Sequence, residues 1–190
     1  MSPVRRKFSP SLHLLVVAVC LAITGTGAGA QPPSTAGADT ARARLAPLTW
    51  LVGEWEGPVH LTAGGRKMTL TQRETVIEAA NGTVLVVRGR GSLADPARGE
   101  REVFQAVGLL TYDVSVQRFR WVSSGGSGVI ATTEPIVDGS SFVWSTPPRN
   151  GTQTRYTITR SAAGEWVEIG EESRDDVTWT RTLEMRLTKK

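Results

Sequence analysis

Few residues in this chain have chemistry to offer, and Arg181 is the most informative of them. In the run from Val177 to Thr188, one alternating set holds Val177, Trp179, Arg181, Leu183, Met185 and Leu187. If the run is a strand, these side chains share one face, and the face is apolar except for Arg181. A buried guanidinium needs a carboxylate, an aromatic ring or an anionic ligand beside it. One reading places Arg181 and Trp179 in a cavity, with the guanidinium clamping a lipid-like carboxylate through paired hydrogen bonds.

Glu74 belongs to a second such set, Met68, Leu70, Gln72, Glu74 and Val76. It is either a polar anchor inside, a counter-charge to an arginine, or an acid at a strand end in water. Tyr112, Phe119, Trp121, Phe142 and Trp144 spread aromatic surface over the middle of the chain, as core or as cavity wall. Tyr112, Trp121 and Trp144 join Arg181, Glu74 and Trp179 as the candidate ligand-binding residues. Pockets are mostly apolar with a few placed polar groups, which this set matches.

Other chemistries find little support. His60 is the one histidine after residue 30, and no cysteine follows Cys20, so a transition-metal cluster has no ligand set. Glu171, Glu172, Asp175 and Asp176 gather at one turn, but their spacing matches no calcium loop, and a solvated turn is expected. The stretch Ser124–Gly125–Gly126–Ser127–Gly128 lacks the lysine and helix of a phosphate loop and reads as a flexible hairpin. A single histidine supports no Ser-His-Asp arrangement. No catalytic residue, metal or cofactor is assigned.

The elements that must position these residues are short strands. Expected strands are 54–62, 67–78, 83–92, 102–112, 117–123, 128–135, 140–145, 153–160, 165–173 and 177–188. Asn81-Gly82, Asn150-Gly151 and Asp138-Gly139 suit the left-handed backbone of tight hairpins. The two Asn-Gly-Thr triplets are formal glycosylation sequons, but hairpin turns are the preferred reading. The spacing therefore predicts an all-β domain over residues 45–190, a single antiparallel up-and-down barrel of about ten strands. Ahead of it, Leu45, Leu48 and Leu51 predict a short helix within 40–50, and residues 31–44 read as a flexible leader.

Residues 1–30 have the three parts of a cleavable secretory signal: Arg5-Arg6-Lys7, the apolar run from Leu12 to Ile23, and a small-residue site ending at Ala30. The run is shorter than the ~20 residues a spanning helix needs. Arg5-Arg6 also resembles a twin-arginine signal, but Val4 precedes the pair and the run is strongly apolar, which favours Sec export. Cleavage after Ala30 would give a periplasmic or secreted protein with no membrane span. It would remove three of the 22 basic residues and none of the 18 acidic ones, leaving 19 against 18. That balance gives no footprint for nucleic acid. Without cysteine, stability must come from an apolar core.

The segment Leu48-Thr-Trp-Leu-Val-Gly-Glu-Trp55-Glu-Gly57 resembles the opening of a calycin-type barrel, where a short helix runs into a strand carrying Gly-x-Trp. With Gly108-Leu-Leu-Thr-Tyr112-Asp113 and Phe119-Arg-Trp-Val-Ser-Ser-Gly125, it is similar to the DUF1579-like family of lipocalin-like domains. The resemblance implies structural roles for Gly53 and Trp55. It also implies an alternative for Arg181: in such barrels a last-strand arginine packs over the Gly-x-Trp indole, here Trp55. Fatty-acid-binding barrels instead use a late-strand arginine as the ligand clamp, and haem-binding ones use a histidine that the final strand here lacks. Fold alone does not assign a function. The leading expectation is an exported barrel binding a small apolar or lipid-like molecule, with or without an acidic end. Its rival is an interaction or self-associating module with a filled barrel, monomer or homodimer. An enzyme comes last, because no pair at catalytic spacing is legible.

Overall fold

The computed structural model describes residues 35–190 other than Arg98, so the expected signal segment lies outside the described residues. Helix α1 (Ala36–Leu45) runs into a 3-10 segment (Ala46–Leu51). Pro47 falls in the first turn of that segment, where its missing N–H costs nothing, and the tighter three-residue repeat aligns Leu45, Leu48 and Leu51. All three are buried, with Leu48 fully so. Residues 36–44, expected as leader, are thus helical, and Ala41 is buried. The expected helix is displaced toward the N-terminus because proline ends one helical segment and starts the next.

Eleven strands follow: β1 (Gly53–Ala63), β2 (Arg66–Ala79), β3 (Val84–Asp95), β4 (Gly99–Asp113), β5 (Arg118–Ser124), β6 (Ile130–Thr133), β7 (Ile136–Asp138), β8 (Ser141–Arg149), β9 (Thr152–Arg160), β10 (Trp166–Ser173) and β11 (Thr180–Lys189). The three-residue β7 is the one strand beyond the expected ten. The sheet order is β6-β5-β4-β3-β2-β1-β11-β10-β9-β8-β7, so first and last strands pair at the centre. All ladders are antiparallel, and each other neighbour pair is consecutive in the chain. The fold is all-β and barrel-like.

Asn81 (φ 56°) and Asn150 (φ 53°) adopt the left-handed conformation their Asn-Gly pairs predict, at the β2–β3 and β8–β9 turns. The two sheet edges, β6 and β7, are separated by Glu134 and Pro135 alone, and β6 comes alongside β8. Side chains bridge this seam: the Trp121 ring of β5 lies 6.0 Å from Phe142 and 5.4 Å from Trp144 of β8.

One end of the curled sheet is plugged. Leu45, Leu48 and Leu51 enter it beside a trio of indoles, Trp50, Trp55 and Trp166, packed edge-to-face with centroids 5.9–6.3 Å apart. Trp55 Nε1 donates to the Leu51 carbonyl (2.7 Å) and the partly buried Trp50 donates from Nε1 to the Ser140 carbonyl (2.9 Å), so two of the three indoles are also satisfied as donors. If the plug belongs to the cooperative unit, Leu48→Ala lowers the unfolding free energy by about 2–5 kcal/mol in urea titrations. A loss below about 1 kcal/mol would mean that the helical segment docks independently of the sheet.

Candidate functional site

Alternation along the curled strands turns one face of each inward. The inward faces enclose a cavity of about 980 Å³, walled mainly by aliphatic and aromatic side chains. Its plugged end is floored by Leu51 and Trp166, and its other end is rimmed by the exposed Met68, Phe104 and Val129. Room for the wall comes partly from glycine. A Cβ on Gly108 would lie 2.2 Å from Trp121, so the indole occupies the place of the missing side chain. Gly89 and Gly91 leave similar room above Glu74 and Gln72.

Two carboxyls face into this apolar space. Glu74 is 8% exposed and pairs across the ladder with Trp55, which sets it deep, near the plug. Gln72 Nε2 donates to Glu74 Oε1 at 2.7 Å. Burial pushes the Glu74 carboxyl up to about 7, against the opposing effect of that hydrogen bond. Glu168 stands two residues from Trp166 on β10, and its remaining accessible surface opens onto the cavity. Burial, reinforced by the charge of Glu74, pushes it up to about 8, with Trp166 opposing. The two acids repel, so they titrate as a pair and retain protons near neutral pH. Tyr156 stacks on Trp144 at 4.4 Å and is pushed up to about 12, first by burial and then by Glu168 and Glu172. The indole N–H groups of Trp121 and Trp144 on the wall and of Trp166 at the floor are buried and make no hydrogen bond among the described residues, leaving three donors along the cavity.

Of the sequence-predicted residues, Glu74, Trp121 and Trp144 meet at the cavity, and Glu74 is buried rather than solvated at a strand end. Arg181 is not there. The β10–β11 register passes from Gly170–Leu183 to Glu171–Arg181, so Thr182 is an extra residue on β11. This bulge reverses the alternation and carries Arg181 to the outside, where it is 58% exposed and pairs with Glu184 at 3.1 Å. It neither lines the cavity nor covers Trp55. The cation over Trp55 is Lys189, at 5.2 Å, whose chain passes beside Gly53 (φ 132°). Trp179 also lies outside the cavity, precedes β11 and stacks under Arg155 at 3.9 Å. Tyr112 is buried but lies beyond the cavity, against Phe119 and beneath Arg44 of α1.

Sequence reading missed Glu168, Tyr156, and Gln72 as the hydrogen-bond partner of Glu74. The signal available was the set Trp166-Glu168-Gly170, in which one acid alternates with an indole and a glycine. His60 lies on the outside of β1, with Nδ1 3.0 Å from Thr69 Oγ1. Among the described residues, no group of three or more His, Cys, Asp or Glu side chains is placed to hold a metal. In the acidic turn, Asp175 accepts from the backbone N–H groups of Val177 (3.0 Å) and Thr178 (2.7 Å) and bonds Ser173, which holds its carboxyl well below the usual range. Asp175 is thereby committed to shaping its own turn.

No protein-family model matches the chain, and no curated protein matches it. Among solved structures, the fold is similar to that of Rv2717c from M. tuberculosis, with a TM-score of 0.52 and 16% identity over 77% of this chain and 96% of that one. At that identity the likeness concerns the fold.

The buried acids carry a stability consequence with a definite sign. In the fold both are raised above the ordinary glutamate value of 4.5. The folded state therefore holds more protons than the unfolded one between about pH 4.5 and 8, and stability falls as pH rises through that window. For Glu74 the cost of ionisation inside the fold is roughly 3 kcal/mol at the alkaline side. Glu74→Gln should flatten the decline and raise the unfolding free energy at pH 8 by about 2–3 kcal/mol. An unchanged profile from pH 5 to 8 in denaturant titrations would show that water reaches the carboxyl freely.

Proposed function

We propose that this chain is an exported barrel that holds a small, largely apolar molecule in its interior. The observation that carries the reading is the cavity of about 980 Å³, apolar on its walls and polar only at a few points. Export rests on the residues at 1–30, and the resemblance to DUF1579-like domains rests on the Leu48–Gly57 segment with the Tyr112-Asp113 hairpin. A filled barrel, the rival reading, would need side chains where this space lies. An acidic ligand head loses its expected clamp, because Arg181 is outside.

Contact quenching of tryptophan by a brominated long-chain alcohol tests the reading. Trp121 and Trp144 line the cavity wall and Trp166 its floor, while Trp179 lies outside, so binding by a quencher brominated near mid-chain should quench a large part of the emission. The Trp121→Phe/Trp144→Phe double variant should lose most of that quenching, and Arg181→Ala should keep it. No saturable quenching of the folded protein, together with no co-purifying small molecule in native mass spectra, would refute the proposal.

A further inference from the structure

We infer that the molecule held in the cavity carries a cationic nitrogen, an amine whose N–H groups sit between Glu74 and Glu168 while its apolar body extends toward the rim. This rests on the cavity-binding reading and names the ligand class within it.

The titratable groups deep in the cavity are acidic. Among the described residues, the ionisable side chains lining the cavity are Glu74, Glu168, Tyr156 and Arg149. Arg149 is exposed, at the end of β8, so among those residues the deep part of the cavity holds acids and a phenol but no cation. Glu172 adds a further negative charge acting on Tyr156. Among the described residues, arginines pair with acids on the outside: Arg73 with Glu56 and Glu100, Arg155 with Glu171, and Arg186 with Glu165. Buried carboxylates are ordinarily paired, and these two have Gln72 and Trp166 beside them as their polar neighbours.

Charge complementarity then orders the ligand classes. A carboxylate-headed ligand would carry its charge into a space whose deep titratable groups are acids and a phenol, with no described cation to meet it. An alcohol would leave the pair protonated and add a neutral hydrogen bond. An ammonium group turned toward these acids makes charge-assisted hydrogen bonds in a low-dielectric space and is attracted by both. The aromatic wall is compatible with a cation, since Trp144, Tyr156 and Trp121 line the same cavity as the acids. The depth of the pair next to the plug and the apolar rim match a molecule with one cationic end.

The test compares three chains of equal length, dodecylamine, dodecanol and laurate, each below its micellar concentration. Titration calorimetry of the full chain is run at pH 7 in two buffers of different ionisation enthalpy. The expected result is amine binding at least tenfold tighter than alcohol, with proton release, because an arriving cation ionises the carboxyl pair. Glu74→Gln and Glu168→Gln should each shrink the amine-to-alcohol preference by about tenfold or more. Should either variant misfold, proton release by the unaltered protein carries the test. Equal binding of amine and alcohol, tighter binding of laurate, or an amine preference untouched by both variants would overturn the inference and leave the apolar cavity standing. If none of the three binds, the cavity-binding reading falls with it.

Discussion

The contact on which the rest of this structure depends is the one between Trp121 and the aromatic side chains of β8. The backbone ladder runs unbroken from β6 to β7. What brings its ends round is side-chain packing across the seam, with Trp121 against Phe142 and Trp144. Arg118 and Arg120 of β5 bind Glu134 in the link between the two edges, which holds that corner in place. The same aromatic cluster continues through Trp144 to Tyr156, so closure of the seam and formation of one cavity wall are a single packing event. An open sheet of these strands would expose the inward residues to water and leave two unprotected edges.

Once closed, the sheet encloses a space whose polarity is at odds with its stability. Glu74 and Glu168 would each be better placed outside, where this chain forms many of its ion pairs. Groups that depart from the fold's own preference in this way tend to mark functional sites. The cost is borne by the plug and wall, whose Leu48, Leu187 and Phe142 are almost completely buried.

Much of this was legible in the sequence, for reasons that lie in particular residues. Asn81 and Asn150 announced their turns because an Asn-Gly pair tolerates left-handed backbone. Leu45, Leu48 and Leu51 announced a buried helical face, and Gly53 with Trp55 announced where the first strand begins. The lower part of the last strand also kept its phase, with Met185 and Leu187 buried and Leu183 packed against the core. What failed was phase across a bulge. Thr182 adds one residue between Leu183 and Arg181, and no local residue type announces it, so every inference upstream of it changed face. Glu168 failed for another reason. Glu165, Glu171 and Glu172 on neighbouring positions make the segment look solvated, and only the sheet's curvature brings Glu168 toward Glu74 from the far side of β1 and β11. The strand β7 is too short for alternation to register.

The last residues of β11 have a kinetic consequence. Lys189 covers Trp55, Leu187 fills the core beneath it, and Lys190 reaches Glu56 across a separation of 134 positions. The base of the barrel is thus assembled from the beginning and the end of the domain. A chain synthesised from its N-terminus can form hairpin after hairpin, yet its base must wait until residue 189 has been made. Such long-range closure slows folding relative to a fold built of local contacts.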